Sequence, residues 1–171
     1  MNTLNKIQNF LGITYLRLGI ATIKKVVYDI PKTVIQVLPI LSGVKLYGTE
    51  LDYQYVTTDW DNWNEILDKV YSILGENPWT AEVADCDNRA EFTSSLISII
   101  YHLNTCGRVY CEVSRASDGV AKYLHWANIV VDKNKDVYLV DMDYGGKRQK
   151  ITSNTVVMGI NKYVLKSYRI G

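Results

Sequence analysis

Just after residue 104 the hydrophobic pattern of this chain changes from the helical period of 3.6 residues to the strand period of 2, and that change limits the folds open to it. Before that point apolar residues recur at helical spacing over 59–74 and 86–104. A polar turn at 132–136 is predicted to join two later strands as a hairpin. Helices followed by an antiparallel sheet predict an α+β fold. The segments with strand-like alternation are 108–113, 124–131, 136–141 and 163–170.

The two predicted helices have recognisable ends. Asp59 is a suitable N-cap for the first helix, which Gly75 should end. Asp85 is a suitable N-cap for the second helix, and Asn104 should end it. Cys86 therefore falls in the first turn of the second helix.

Residues 1–50 are predicted to form an N-terminal extension that is helical at first and extended later. Apolar residues keep helical spacing as far as Ile30, and Pro31 should end that helix. The β-branched segment 33–47 favours extended structure. Because 171 residues with 47% apolar content suffice for one core, residues 1–171 are predicted to form a single domain.

The composition excludes several classes of partner and site. A net charge of +1 provides no field that would recruit nucleic acid. No uninterrupted apolar run approaches the ~20 residues of a membrane helix, and no signal peptide is evident. Three cysteines are too few for a disulfide framework, so reduced thiols in the cytoplasm are predicted, with a Cys106–Cys111 bridge left open. No zinc-binding pattern occurs, and the oligomeric state stays open.

The position of Cys86 has chemical consequences. Exposed N–H groups and the helix dipole at a helix N-terminus favour an anion, and so lower the pKa of a thiol there. The neighbouring Asp85 and Asp87 raise that pKa, because like charges repel. An activated Cys86 would therefore need an imidazole beside it. The alternative is a buried, inert cysteine.

His125 lies near the start of a predicted strand and is the histidine that suits this role. If Val131 pairs with Val137 across the hairpin turn, His125 faces Asp143 and lies diagonal to Asp141. Either carboxylate would orient the imidazole and stabilise its cation. His102 lies 16 residues beyond Cys86, about 24 Å along a helix, which is too far. The alternative is that His125 is bonded only within its own strand.

Three short motifs resemble the papain/transglutaminase-like cysteine enzymes. Residues 85–90, Asp-Cys-Asp-Asn-Arg-Ala, are similar to the element that carries the family's nucleophile. Residues 125–130, His-Trp-Ala-Asn-Ile-Val, resemble its histidine strand, and residues 137–141, Val-Tyr-Leu-Val-Asp, its acid-bearing strand. The order and spacing also resemble the family, over about residues 53–145. The nearest likeness is to a branch found in phage proteins and in the protease domain of a fungal lectin.

The resemblance implies a nucleophile at Cys86, a general base at His125 and an orienting acid at Asp141, with Asp143 as the alternative acid. Met142 stands where the family usually has proline, so the choice of acid stays open. An oxyanion donor is expected upstream, and Gln54 and Trp79 are the candidates. The implied activity is hydrolysis or acyl transfer at peptide or amide bonds of a protein or peptide substrate.

Two other functions and one metal site compete with that hypothesis. The chain is alternatively a non-catalytic phage structural or host-interaction module, cytoplasmic or virion-associated. A cell-wall amidase ranks last, because the expected Asp-Cys-Ser-Gly element is absent. No cofactor is expected, although Asp85, Asp87, Asp141 and Asp143 could alternatively hold calcium.

Overall fold

The computed structural model describes residues 28–31, 41, 43–46, 54–75, 85–120 and 122–170. These residues form an α+β fold, as the sequence predicts. The described helices are α1 (Trp60–Gly75) and α2 (Cys86–Tyr101). The described strands are β1 (Tyr28–Pro31), β2 (Lys45–Leu46), β3 (Gln54–Thr57), β4 (Cys106–Arg115), β5 (Tyr123–Val131), β6 (Val137–Asp141), β7 (Lys147–Lys150), β8 (Thr155–Met158) and β9 (Asn161–Ile170).

The main sheet has the strand order β2-β9-β4-β5-β6-β7, and β8 also pairs with β9. Its neighbouring strands are antiparallel except for β2, which runs parallel to β9. The four strands predicted from alternation are present as β4, β5, β6 and β9. β7 was not predicted, because its sequence Lys-Arg-Gln-Lys is polar throughout and its residues are mostly exposed.

Helix α1 begins and ends close to where its sequence predicts. The Asp59 carboxylate accepts a hydrogen bond from the Asn62 backbone N–H at 2.9 Å, which makes it a true N-cap. The apolar face of the helix is buried, and its members are Trp63, Ile66, Leu67, Val70 and Leu74.

Helix α2 begins at Cys86, with Asp85 in the extended N-cap conformation but without a side-chain capping hydrogen bond. The helix ends at Tyr101, earlier than predicted, because His102 adopts a left-handed conformation with φ of 54°. Asn104 lies beyond the helix, where its side chain accepts a hydrogen bond from the Val56 backbone N–H at 2.6 Å. Among the described residues, no helix is long and apolar enough to cross a membrane.

The main sheet has a separate apolar cluster on each face. The cluster on the first face includes Val109 of β4, Ile129 of β5 and Leu139 of β6. The second face carries the cluster with α1 and α2, and Val130 and Val140 point into it. The alternation of side chains along each strand therefore decides which face a residue of the site occupies.

Asn128 fastens α2 to the second face of the sheet. Its side-chain amide donates to the Ala90 carbonyl at 2.8 Å and to the Gly107 carbonyl at 3.0 Å. Asn128 is 1% exposed, so these bonds stabilise a buried junction between β5, β4 and α2. The junction holds the first turn of α2, and with it Cys86, close to β5.

The prediction that the N-terminal helix extends to Ile30 is wrong. Tyr28–Pro31 is strand β1, which pairs with β3 so that Pro31 lies opposite Gln54. Proline is tolerated in such a short, two-stranded pairing, because a missing N–H can face away from the partner strand. Residues 1–27, the rest of that predicted helix, lie outside the described residues. Of the segment predicted as extended, the described part includes strand β2.

The three cysteines are all free thiols. Cys106 and Cys111 are buried, and they point into the clusters on opposite faces of the sheet. The bridge between them that the sequence left open is therefore not formed. Burial raises the pKa of both thiols far above its usual range, so neither is a reactive nucleophile.

Candidate active site

His125 and Asp141 form a buried hydrogen-bonded pair. His125 Nε2 lies 3.0 Å from Asp141 Oδ2, and the two residues are 6% and 3% exposed. The predicted hairpin register holds, because Val131 pairs with Val137. The predicted position of Asp143 opposite His125 is wrong, because β6 ends at Asp141 and the chain turns there. Of the two carboxylates, Asp141 is the one bonded to the imidazole.

Asp141 is saturated with hydrogen bonds. Its Oδ1 accepts the backbone N–H groups of Asp143 at 2.9 Å and Tyr144 at 3.2 Å. Its Oδ2 accepts the Tyr163 hydroxyl at 2.7 Å in addition to His125. Burial by itself would raise the pKa of Asp141, but the hydrogen bonds and charge of these partners lower it below its usual value. Asp141 is therefore held as a carboxylate.

Sequence reasoning missed Tyr163, which is fully buried on β9. Its ring lies 6.4 Å from the His125 ring, so it packs beside both members of the pair. The contact depends on β9 returning to lie next to β4, with Tyr163 opposite Val113. No local pattern could have revealed that long-range pairing.

Cys86 is half-buried at the start of α2, and its electrostatic environment is unfavourable to a thiolate. Burial raises the pKa of the thiol, and the charges of Asp143, Asp85 and Asp87 raise it further. The backbone N–H of Trp126 acts in the opposite direction, but the pKa remains raised overall. The aspartates thus have the effect that the sequence predicts for Asp85 and Asp87.

His125 and the helix that carries Cys86 lie on different faces of β5. His125 shares its side of β5 with Ala127 and Ile129 of the first-face cluster, whereas α2 packs on the second face. β6 pairs with β5 only from Asn128 onward, so the edge of β5 at Trp126 is not covered by β6. The structure records no hydrogen bond between Cys86 and His125, both of which lie in its described part. A proton transfer between them would need the Cys86 sulfur within about 4 Å of a ring nitrogen of His125, and that approach stays a prediction.

Asp143 pairs with Arg89 instead of with His125. Arg89 Nε lies 2.7 Å from Asp143 Oδ1, and the side chains are 9% and 21% exposed. Charged residues in the first turn of a helix are usually solvated, but Arg89 is buried in this ion pair. Burial and the charge of Asp141 raise the pKa of Asp143, which Arg89 partly offsets. The ion pair therefore ties the turn after β6 to the first turn of α2.

The two predicted oxyanion donors, Gln54 and Trp79, stay predictions. Gln54 is exposed on β3, and its backbone carbonyl accepts the Asn104 amide at 2.9 Å. Trp79 lies outside the described residues. The contact of Trp126 with Cys86 was not predicted, because it comes from the backbone N–H of Trp126 and not from its side chain.

The structure brings together one set of metal-ligating groups among its described residues. Ligand atoms of His125, Asp141 and Asp143 all lie within 4.8 Å of one another. Both oxygens of Asp141 already accept two hydrogen bonds each, so a metal ion would have to displace those donors. Asp85 and Asp87 are not part of this set; Asp87 is exposed, and its pKa is lowered chiefly by a hydrogen bond with Asp85. The donor set is thus a poor one for calcium, which prefers several free oxygens.

Comparisons of the chain with protein-family models, curated proteins and solved structures gave no match. The function of the chain is therefore inferred from its own residues and their geometry.

Proposed function

We propose that this chain is a thiol-dependent hydrolase or acyl transferase with a papain/transglutaminase-like fold, acting on peptide or amide bonds. Cys86 is the nucleophile, His125 the general base and Asp141 the acid that orients it. The observation that carries the proposal is the buried hydrogen bond of 3.0 Å between His125 Nε2 and Asp141 Oδ2. A saturated carboxylate behind an imidazole is the arrangement that such a base requires.

The hydrogen bond assigns different roles to the two ring nitrogens. Asp141 is a carboxylate, so Nε2 of His125 carries the proton and donates it to Oδ2. Nδ1 is then left with a lone pair and is the atom that accepts the proton of Cys86. Asp141 stabilises the resulting imidazolium, and Tyr163 holds the carboxylate in place through the same oxygen.

The reaction then follows in two steps. His125 Nδ1 removes the Cys86 proton, and the sulfur attacks the amide carbonyl to give a tetrahedral oxyanion. When that intermediate collapses, the imidazolium gives its proton to the leaving amine, and a thioester on Cys86 remains. Water or a second amine attacks the thioester with the help of His125, which completes hydrolysis or acyl transfer respectively.

The raised pKa of Cys86 affects how the first step occurs. The raised pKa disfavours a preformed thiolate, so we expect proton transfer to His125 to accompany substrate binding and attack. The step also needs the sulfur to come within hydrogen-bonding reach of Nδ1, around the uncovered edge of β5. Catalytic hydrogen bonds of this kind are often looser without substrate.

An electrophilic peptide probe tests the proposal. A peptide vinyl sulfone should label the purified protein at Cys86, as identified by mass spectrometry of the digest. Labelling should disappear in Cys86→Ala and in His125→Ala, and should persist in the control Cys106→Ala, whose thiol is buried. If His125→Ala were labelled as fast as the unaltered protein, His125 would not be the base.

A non-catalytic binding module, such as a phage structural or host-interaction protein, is the second candidate. It is favoured by the raised pKa of Cys86 and by the absence of a recorded Cys86–His125 hydrogen bond between these two described residues. On this alternative Cys86 reacts with iodoacetamide like an ordinary cysteine or more slowly, and no thiol-dependent turnover of casein or of an amine acceptor occurs.

A further inference from the structure

A pocket lies on the helix-facing side of the sheet, between α2 and the paired strands β4 and β9. Its volume is about 260 Å³. One wall consists of α2 side chains, among them Ser94, Ser95 and Ser98, and the strands contribute Arg108 and Arg169. Drug-sized ligands occupy pockets of about 300 Å³ or more, so this one suits a small molecule or a single side chain.

The two arginines are direct neighbours in the sheet. Arg108 of β4 pairs with Arg169 of β9 in the antiparallel register, so their side chains project from the same face. Like charges directly opposite each other on one face of a sheet are destabilising. An anion bound between them would remove that repulsion, and two guanidinium groups offer planar forks that fit the oxygens of a carboxylate or phosphate.

The charges of the arginines are only partly balanced within the described residues. Arg108 forms an ion pair with Glu91 of α2, and its guanidinium lies 5.8 Å from the centre of the Trp126 ring. Arg169 has no ion pair among the residues that the structure describes, and it is half-buried. The pocket therefore has two cations and one acid, Glu91, among its described charged groups.

Uncharged groups around the arginines suit the same kind of ligand. Ser98 is exposed on the pocket wall, and its hydroxyl makes no recorded hydrogen bond within the described part of the chain. The floor includes Gly107, where an added Cβ would lie only 2.0 Å from the Arg169 carbonyl oxygen. Glycine is therefore required for β4 and β9 to approach closely enough to place the two arginines side by side.

We propose that this pocket binds an oxyanion, a carboxylate or phosphate group of a small ligand, through Arg108 and Arg169. The Ser98 hydroxyl provides a further donor. The site does not depend on thiol chemistry, although Trp126 connects the two: its backbone N–H interacts with Cys86 and its ring contacts Arg108.

Direct binding measurements test the proposal. Inorganic phosphate and glutarate are each titrated into the full chain, with sodium chloride at matched ionic strength as the blank, and binding is followed by two-dimensional NMR of backbone amides. We expect saturable shifts at Gly107 and Ser98 with at least one of the two anions, and their comparison distinguishes the phosphate source from the carboxylate source. No saturable shift with either anion would overturn the proposal.

Three variants test whether the anion binds at the two arginines. Arg169→Gln should weaken binding by about tenfold or more, since it removes a charge-assisted hydrogen bond. Arg115→Gln, which neutralises an exposed arginine elsewhere on β4, is the matched control and should bind normally. Glu91→Gln removes the acid from the lining and should strengthen binding. Equal affinity in Arg169→Gln and Arg115→Gln would contradict the site, and so would weaker binding in Glu91→Gln.

Cys86→Ala separates this inference from the proposed activity. It should bind the anion as the unaltered chain does, while losing all labelling by the vinyl sulfone probe. Failure of the labelling experiment would leave the anion titration fully interpretable.

Discussion

The candidate site has a sheet half, made of His125, Asp141 and Tyr163, and a helix half, made of Cys86 and the first turn of α2. The two halves differ in how completely their polar groups are satisfied by hydrogen bonds. In the sheet half, Asp141 accepts four hydrogen bonds and lies with His125 and Tyr163 in the buried interior. In the helix half, Cys86 is half-buried, and nearby carboxylates raise the pKa of its thiol. The proposed base is thus positioned by the core of the fold, whereas the proposed nucleophile depends on the junction between α2 and β5.

The hydrogen bonding indicates where the site is rigid and where it can adjust. A buried carboxylate with four donors has one low-energy arrangement, because losing any partner leaves a desolvated charge unsatisfied. Cys86 has only one favourable partner in the described part of the site, the Trp126 N–H. Any movement that brings sulfur and imidazole together is therefore expected in the first turn of α2 and not in the hairpin.

The largest expected effect is on turnover. Once a peptide or amide substrate is found, Cys86→Ala and His125→Ala should each lower kcat by at least about a thousandfold. Asp141→Asn should cost less, because an orienting residue contributes less than a nucleophile or base. Steady-state kinetics of the three variants with that substrate check the order. Unchanged turnover in Cys86→Ala would remove the helix half from the mechanism altogether.

The second effect concerns the free energy of unfolding, for which the sheet half should matter more than the helix half. Asp141→Ala should lower the free energy of unfolding by about 3–5 kcal/mol, since it leaves buried donors without their acceptor. Cys86→Ala should change it by less than about 1 kcal/mol. Urea denaturation of both variants gives the two values. Asp68→Ala, which breaks an exposed ion pair with Arg148, is the control and should also cost below about 1 kcal/mol.

If Asp141→Ala were as stable as the unaltered chain, the carboxylate would not be part of the packed interior. The comparison between the two halves would then be lost, because neither would be held by the core.

Much of the sheet half could be predicted from local sequence. The polar turn at 132–136 and the alternation on either side of it predict the pairing of Val131 with Val137, and the structure has it. What could not be predicted is the point where β6 stops pairing. That point decides between Asp141 and Asp143, and it depends on the turn that Asp141 itself stabilises by accepting the Asp143 and Tyr144 N–H groups.

The long-range contacts of the site were beyond local patterns. From its position in the first turn of α2, Arg89 would be expected to be an exposed charge. Only the folded turn after β6 brings Asp143 to it. Tyr163 reaches Asp141 because β9 pairs with β4. The start of α2 at Cys86, by contrast, follows from helical spacing and an acceptable N-cap residue.

The third effect is on the pH dependence of stability, and the two neighbouring carboxylates should act in opposite directions. The pKa of Asp141 is lowered on folding, so its contribution is present above about pH 4, where the unfolded carboxyl titrates, and is lost as the pH falls through the folded value. The pKa of Asp143 is raised, so its contribution is present below about pH 4 and is lost as the pH rises through the folded value. Denaturation midpoints between pH 2 and 6 separate the two.

In that experiment the stability difference between the unaltered chain and Asp141→Asn should shrink as the pH falls below about 4. For Asp143→Asn the difference should not shrink in the same range. Parallel curves for the unaltered chain and Asp141→Asn would mean that the pKa of Asp141 is not lowered in the folded protein.

The smallest expected effect is on the reactivity of Cys86 and tests the helix half alone. Asp143→Asn removes a charge that raises the pKa of the thiol and leaves the Arg89 cation less neutralised, so both consequences lower that pKa. The rate of Cys86 alkylation by iodoacetamide, followed by mass spectrometry from pH 6 to 10, should then reach its half-maximum at a lower pH. At pH 8 we expect an increase of a few fold, because more of the sulfur is thiolate.

Asp118→Asn, which alters an exposed carboxylate on the β4–β5 loop, should leave the rate unchanged. An identical profile for Asp143→Asn and the unaltered chain would show that the acidic surroundings do not control Cys86, and the contrast between the two halves would rest on hydrogen bonding alone.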